Sequence, residues 1–288
     1  MSGRKVTHVG ASVRQRLLDR ARAEGRVFQE LATLYAMERF LFRLGASPHA
    51  ERFVLKGGLM TLTWAAEHAR ITRDIDLLGR GANSIEAVVS RVREVLALEV
   101  GDGVLFDVAS VEGTAITAEA AYVGVRASFD ADLGGMRLRM QVDVGFGDAV
   151  VPEPRWIDYP QLLDFGAPRL LGYPAEATLA EKLHAIVVLG FANSRMKDYY
   201  DLWTAVRLGV VTPEGLGLAI RYTFARRSTP LPATMPEGLT RAFAEEPSKQ
   251  SQWAGFVRKS KLEAPPLESV VEAAAQLAGR AFEHARVG

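Results

Sequence analysis

Cysteine is absent from the 288 residues, which removes disulfides, thiolate zinc sites and cysteine nucleophiles together. A small secreted scaffold stapled by disulfides is excluded with them. Neither sign of charge dominates: 35 Lys and Arg against 34 Asp and Glu leave a formal charge of +1. Bulk polycationic attraction therefore does not bind this chain to nucleic acid, and any such contact must come from a local patch. No uncharged apolar run approaches the roughly 20 residues that span a bilayer, and Met1 to Arg26 carries scattered arginines without the apolar stretch of a secretory signal. The chain reads as a cytoplasmic protein with no membrane partner. Its 48% hydrophobic and 24% charged residues are globular values and exclude wholly disordered, collagen-like and coiled-coil chains. HExxH, the GxSxG elbow, the GxGxxG fingerprint and the Walker phosphate loop are all missing, so hydrolase and dinucleotide-enzyme readings have no support.

What is present changes period twice. Residues 1–52 hold ten Lys/Arg against five Asp/Glu and read as helical. Ser12 caps a helix that Gly25 ends, and Leu31, Leu34, Tyr35, Leu41 and Leu44 recur at helical spacing between Phe28 and Leu44. Phe53-Val54-Leu55 is a short apolar run before Gly57-Gly58, Leu59 to Glu67 suits a helix, and Asp74 to Leu78 reads as a strand. Asn83 with Glu86 opens a helix running to Leu98. Strands follow near Val104 to Val111, Tyr122 to Phe129 and Met136 to Phe146, the last two joined by the turn-rich Asp130 to Gly135. Five prolines from Pro152 to Pro174 mark a linker or wrapping segment. Helices return at Ala177 to Leu189, Lys197 to Leu208, Pro213 to Thr223 and Leu267 to Arg286, with Arg226 to Glu237 and Glu245 to Gln250 as loops. The fold class is α+β: an N-terminal helical segment (1–52), a mixed α/β core (53–165) and a helical C-terminal domain (166–288).

Asp74 and Asp76 leave the same face of their strand, about 6.5 to 7 Å apart. Two carboxylates so close repel unless a cation lies between them, and hard oxygen donors in modest number suit Mg²⁺; a lone Asp-x-Asp also fits a solvated strand end. Parity in Met136 to Phe146 offers a third acid. Leu138, Met140, Val142, Val144 and Phe146 form the apolar face, while Arg137, Arg139, Gln141 and Asp143 form the other, where Asp143 meets the Asp pair or pairs with Arg137 or Arg139. Gly57-Gly58 sits at a strand-to-helix turn, which is either an ordinary tight turn or a place where backbone N–H groups approach a phosphate. Lys182 borders a helix's apolar stripe, where a lysine commonly snorkels. Asp198 and Asp201 share a helical face beside Arg195 and Lys197, as a surface salt-bridge ladder would.

The ordered set Lys56-Gly57-Gly58, Arg70 to Leu77 with Asp74 and Asp76, Asp143, Ala180 to Ala185 with Lys182, and Lys197 to Leu202 with Asp198 and Asp201 closely resembles the AbiEii/AbiGii toxin family of nucleotidyltransferases. That family includes the MenT-type toxins and belongs to the DNA polymerase β nucleotidyltransferase superfamily. The resemblance spans the middle half of the chain, about residues 53–205. It implies a nucleotidyltransferase-like mixed sheet flanked by helices, with the helical C-terminal domain closing the active-site cleft.

The resemblance also implies roles. Gly57, Gly58, Asp74 and Asp76 would hold the nucleoside triphosphate (NTP) and metal, with Asp143 as the third carboxylate. Lys182 would bind a phosphate as a point charge. Asp201, with Asp198 beside it, would orient the acceptor hydroxyl or position Lys182. The superfamily often has Gly-Ser where this chain has Gly57-Gly58. The implied reaction moves a nucleoside monophosphate from an NTP to an acceptor hydroxyl with Mg²⁺ and releases pyrophosphate. The implied acceptor is the 3′ end of tRNA, with translation blocked in toxin–antitoxin and abortive-infection (phage-defence) systems and a cognate antitoxin as partner. Eleven Lys/Arg against six Asp/Glu between Arg195 and Lys261 agree with an RNA-holding patch, or solvate a helical face. Thr72, two residues before Asp74, would block nucleotide binding if phosphorylated. Transfer to a protein hydroxyl and a catalytically silent binding module are the rival readings; the intact Asp74, Asp76 and Lys182 count against the second.

Overall fold

The computed structural model describes residues 4–65, 68, 70, 72–118 and 122–287. Their contacts divide into two compact units. One comprises Met1–Leu59, Ile71–Gly147 and Arg155–Gly172, and the other Met60–Arg70, Asp148–Pro154 and Tyr173–Gly288.

The first unit holds one mixed sheet of seven strands. In chain order these are β1 (Phe53–Lys56), β2 (Ile75–Gly79), β3 (Val104–Ala118), β4 (Tyr122–Leu133), β5 (Met136–Phe146), β6 (Arg155–Asp158) and β7 (Arg169–Gly172). In space they run β3-β4-β5-β2-β1-β7-β6. β2 is parallel to β5 and β1 to β7, and the other neighbours are antiparallel. Alternation in β4 and β5 gives the sheet one dry face: Val125, Ala127, Phe129, Ala131 and Leu133 are buried, as are Leu138, Met140, Val142 and Val144. Helices α1 (Arg4–Ala23), α2 (Phe28–Ala46) and α4 (Ile85–Leu96) pack against this sheet, with Phe40 stacked on Phe129 at 5.7 Å between ring centroids. Buried Arg43 forks onto buried Asp102 at 2.6 and 3.1 Å.

The second unit is helical: α3 (Thr61–Ala65), α5 (Ala175–Leu189), α6 (Met196–Leu208), α7 (Pro213–Arg226), α8 (Arg241–Glu245), α9 (Pro247–Ser260) and α10 (Leu267–Val287). Helix α10 is the spine of this unit. Val270, Val271, Ala274, Leu277, Ala278, Ala281, Phe282 and Ala285 are buried along one stripe, packed against α6, α7 and α8.

Several boundaries differ from the sequence reading for local reasons. Helix α1 runs through Ser12 instead of starting there. Gly10 lies within this helix, and glycine leaves room there for the backbones of Gly103 and Gly134, which pass within 3.2 Å of where a Cβ would be. The cap of α4 is Ser84, whose hydroxyl accepts from the Ala87 N–H at 3.2 Å, not Asn83. β4 continues to Leu133, leaving Gly134-Gly135 alone as the hairpin turn, both at positive φ (58° and 86°). The proline-rich stretch carries β6 and β7, because the apolar Leu170-Leu171 pair finds β1 as a partner. Glu245 to Gln250 is not a loop: Glu246 caps Ser248 and Pro247 begins α9. The helix expected from Leu59 is a 3₁₀ turn over Gly57–Met60 followed by α3, and its last two residues, 66 and 67, lie outside the described residues.

Candidate active site

The wet face of the sheet gathers the first set of candidates. Backbone register places Lys56 of β1 opposite Asp76 of β2, Asp76 opposite Asp143 of β5, Asp143 opposite Arg126 of β4, and Arg126 opposite Thr114 of β3. Residues directly opposite one another share a face, so one transverse row across five strands carries two carboxylates between two cations. Asp74 stands two residues before Asp76 and extends the same face, where Gln141 Nε2 donates to Asp74 Oδ1 at 3.2 Å. Arg126 forks onto Asp143, Nε to Oδ1 and Nη2 to Oδ2, both at 2.7 Å. Its guanidinium is held above the ordinary arginine range, first by those hydrogen bonds and then, against some burial, by the charges of Asp143, Asp74 and Asp76.

The turn after β1 is tied to this row. Gly57 has φ +69°, and a Cβ built on it would overlap the Asp76 carboxylate, so glycine is required there both for its backbone and for the room it leaves. Gly58 follows, buried. Thr72 lies half-buried in the stretch leading to Asp74. The donors Asp74, Asp76 and Asp143 are all oxygen and come from neighbouring strands, a set suited to a hard divalent cation. Among the described residues no three acidic or histidine side chains are already drawn together as a metal cage, and both Asp143 oxygens are engaged by Arg126.

The helical unit gathers the second set. Lys182 lies on α5 among buried Leu179, Ala180, Leu183 and Ile186, and it does not snorkel: the residue is 7% exposed. Its Nζ donates to Asp198 Oδ1 at 2.8 Å and meets Asp201 Oδ2 at 2.8 Å. The two aspartates, three apart on α6, are 0% and 2% exposed, so they form a buried network and not a surface ladder. Arg70 closes on Asp201 at 3.1 to 3.2 Å, and Arg195 Nε on Asp198 Oδ2 at 2.6 Å. Burial opposes the charge on Asp198, yet Lys182 and Arg195 outweigh it and hold the carboxyl down at about 2. Burial likewise pulls Lys182 toward neutrality, and Asp198 and Asp201 more than offset it, raising the ammonium above the ordinary lysine range.

Three arginines thus sit on the candidate carboxylates: Arg126 and Arg70, to which sequence reasoning assigned no role, and Arg195, which it placed on a ladder with Asp198. Arg126 was detectable by parity, since Arg126, Ser128, Asp130 and Asp132 alternate against the apolar face of β4. Arg195 was detectable by its three-residue spacing from Asp198, whereas Arg70 carries no such signal, because its partner is set by how the chain returns.

A family model for the nucleotidyl transferase AbiEii toxin of type IV toxin–antitoxin systems matches residues 39–284. The chain belongs to the AbiEii nucleotidyltransferase family. A provisionally assigned nucleotidyltransferase from H. pylori aligns at TM-score 0.50 and 15% identity, over 90% of this chain and 96% of its own. JHP933 from Helicobacter pylori aligns at TM-score 0.51 and 13% identity, over 90% and 94%. At such identities the likeness speaks for the fold, which is nucleotidyltransferase-like. No functionally curated protein matches the sequence significantly.

As an AbiEii nucleotidyltransferase the protein takes an NTP as substrate, and its family pairs a toxin with an antitoxin. Among the described residues no helix is long and apolar enough to cross a membrane. The first set of residues offers anionic oxygen donors beside a glycine turn. The second brings three cations, buried Lys182 and Arg70 and the partly exposed Arg195, onto two buried carboxylates, a set net positive by one charge.

Proposed function

We propose that this AbiEii protein transfers a nucleoside monophosphate from an NTP to the 3′-terminal hydroxyl of an RNA, namely tRNA, and so blocks translation as the toxin of a phage-defence system with a cognate antitoxin. The observation that carries the reading is the transverse row: Asp76 opposite Asp143, with Asp74 on the same face and Gly57 fitted against Asp76. In the reaction the acceptor hydroxyl gives up its proton, to a carboxylate of the site and from there to solvent, as its oxygen forms a bond to the α-phosphorus; the bond from that phosphorus to the bridging oxygen of the β-phosphate breaks, and pyrophosphate leaves with the negative charge. Mg²⁺, held by Asp74, Asp76 and Asp143, would supply charge neutralisation at the phosphates when bound.

This chain's own residues do the rest. The turn at Gly57 and Gly58 presents backbone close to the site, and Thr72 leads into it. Lys182, Asp198 and Asp201 act as one unit with Arg70 and Arg195, and its net positive charge suits a polyphosphate. The excess of Lys and Arg between Arg195 and Lys261 supports an RNA acceptor.

Purified protein incubated with each α-labelled NTP, Mg²⁺, total tRNA and cell lysate, beside an Asp76→Ala control, tests the proposal. Label at a tRNA 3′ end, absent from the control, supports it and names the nucleotide. Label on protein instead makes a protein hydroxyl the acceptor, and no label in any arm refutes NTP transfer to either.

A further inference from the structure

Other arginines of the sheet unit are either buried in the fold or paired at the rim, as Arg139 is, half-exposed, with Asp130 and Glu112 away from Asp74 and Asp76. Arg43 is 3% exposed and is held by Asp102 and by the Leu98, Arg39 and Val104 carbonyls, while Arg39 is fully buried against Glu38 and the Phe165 and Gly166 carbonyls. Arg126 differs. Its side chain is 39% exposed, and it caps a carboxylate that the register puts beside Asp76 and on the face of Asp74. Three carboxylates on one face call for cations, and this guanidinium is the one that forks onto Asp143.

We infer that Arg126 is a resident counter-cation of the acidic row, exchanged for the divalent ion during loading and then passed to the triphosphate. This rests on reading Asp74, Asp76 and Asp143 as the metal-holding face. A dication at Asp143 competes with the guanidinium for the same two oxygens and repels it as a like charge. Metal alone must therefore break a bidentate pair. Metal arriving with a polyphosphate loses less, because the released fork matches a phosphate as well as it matches a carboxylate. Arg126 thus weakens metal binding in the absence of nucleotide and couples the two ligands, so that each tightens the other by the same factor.

The test is Mn²⁺ titration followed by electron paramagnetic resonance of the free ion, with and without inorganic tripolyphosphate, which needs no knowledge of the preferred base. Arg126→Gln should bind Mn²⁺ about tenfold more tightly than the wild type without tripolyphosphate, and tripolyphosphate should tighten Mn²⁺ about tenfold less in the variant than in the wild type, the scale of one hydrogen bond to a charged group. Arg126→Lys keeps the charge but cannot fork, so it should fall between the two; it decides the matter should Arg126→Gln fail to fold. General damage to the site would weaken the metal, so tightening separates exchange from a structural role. Asp76→Asn separates the layers of the argument. If it abolishes Mn²⁺ binding while neither Arg126 variant tightens the ion, the counter-cation role is overturned and the metal face stands. If wild type and Asp76→Asn bind Mn²⁺ alike, or neither binds it, the metal face and this inference fall together.

Discussion

Replacing Lys182 by methionine tests the buried network most directly. The substitution keeps the length and apolar stem of the side chain but removes the ammonium that lies 2.8 Å from both Asp198 and Asp201. Those carboxylates are 0% and 2% exposed, and breaking a buried ion pair from one side costs about 3–5 kcal/mol because the other charge stays behind. Arg70 still holds Asp201 and Arg195 still holds Asp198, which puts the expected loss at the lower end, about 3 kcal/mol. At roughly 2–4 °C per kcal/mol for a domain of this size, that is a fall of about 6–12 °C in Tm, readable by circular dichroism. Adding Asp198→Asn removes the orphaned charge, so the double variant should be more stable than the sum of the single losses predicts.

The pH dependence has a definite sign. Asp198 titrates at about 2 when folded against 3.8 ordinarily. Its contribution is therefore present above about pH 4 and lost as pH falls through 2, and Lys182→Met should flatten that acid limb. A Lys182→Met protein with wild-type Tm and an unchanged acid limb would refute the buried placement of the ammonium. Transfer activity should fall by more than the unfolded fraction explains, and added Mg²⁺ should not restore it.

Asp74→Ala and Asp76→Ala should each reduce nucleotide transfer at least a hundredfold with little change in Tm; wild-type turnover by either variant would mean the metal face is misplaced. Gly57→Ala must accommodate a positive φ and a clash with the Asp76 carboxylate, so a loss of roughly 1–3 kcal/mol together with most of the transfer activity is expected; unaltered transfer would show that Gly57 and Asp76 are not coupled. Glu38 should make the sheet unit less stable as pH rises. Burial pushes its carboxyl up to about 7 against the pull of Arg39 and the Leu162 N–H. The native state therefore holds a proton that the unfolded chain releases near 4.5, and stability on the order of 3 kcal/mol, present at low pH, is lost between about pH 4.5 and 7. Glu38→Gln should abolish that slope in urea midpoints measured across the window.

The elements most readily legible in the sequence were those whose logic is local. The alternation of Leu138, Met140, Val142 and Val144 against Arg137, Arg139, Gln141 and Asp143 assigned the two faces of β5 without any knowledge of its neighbours, and the structure agrees at these positions, while Phe146 at the strand end is only half-buried. The same parity in β4 points Arg126 to the wet face. What no short window contains is pairing. Asp76 and Asp143 stand opposite only because β2 runs parallel to β5 across more than sixty intervening residues, and Leu170-Leu171 becomes a strand only because β1 is there to receive it. Burial of charge is hidden for the same reason. Asp198 and Asp201 have the spacing of an exposed ladder, of which Arg195 is the one local rung, and Lys182 from α5 and Arg70 from far upstream complete the set that makes their desolvation tolerable. Residue types and spacing therefore mark which side chains can carry chemistry, while register and chain return decide which cation each carboxylate meets. At Asp143 that cation is an arginine on the adjacent strand, so the measurement that separates a metal-binding face from a merely salt-bridged one is a competition between Mn²⁺ and Arg126.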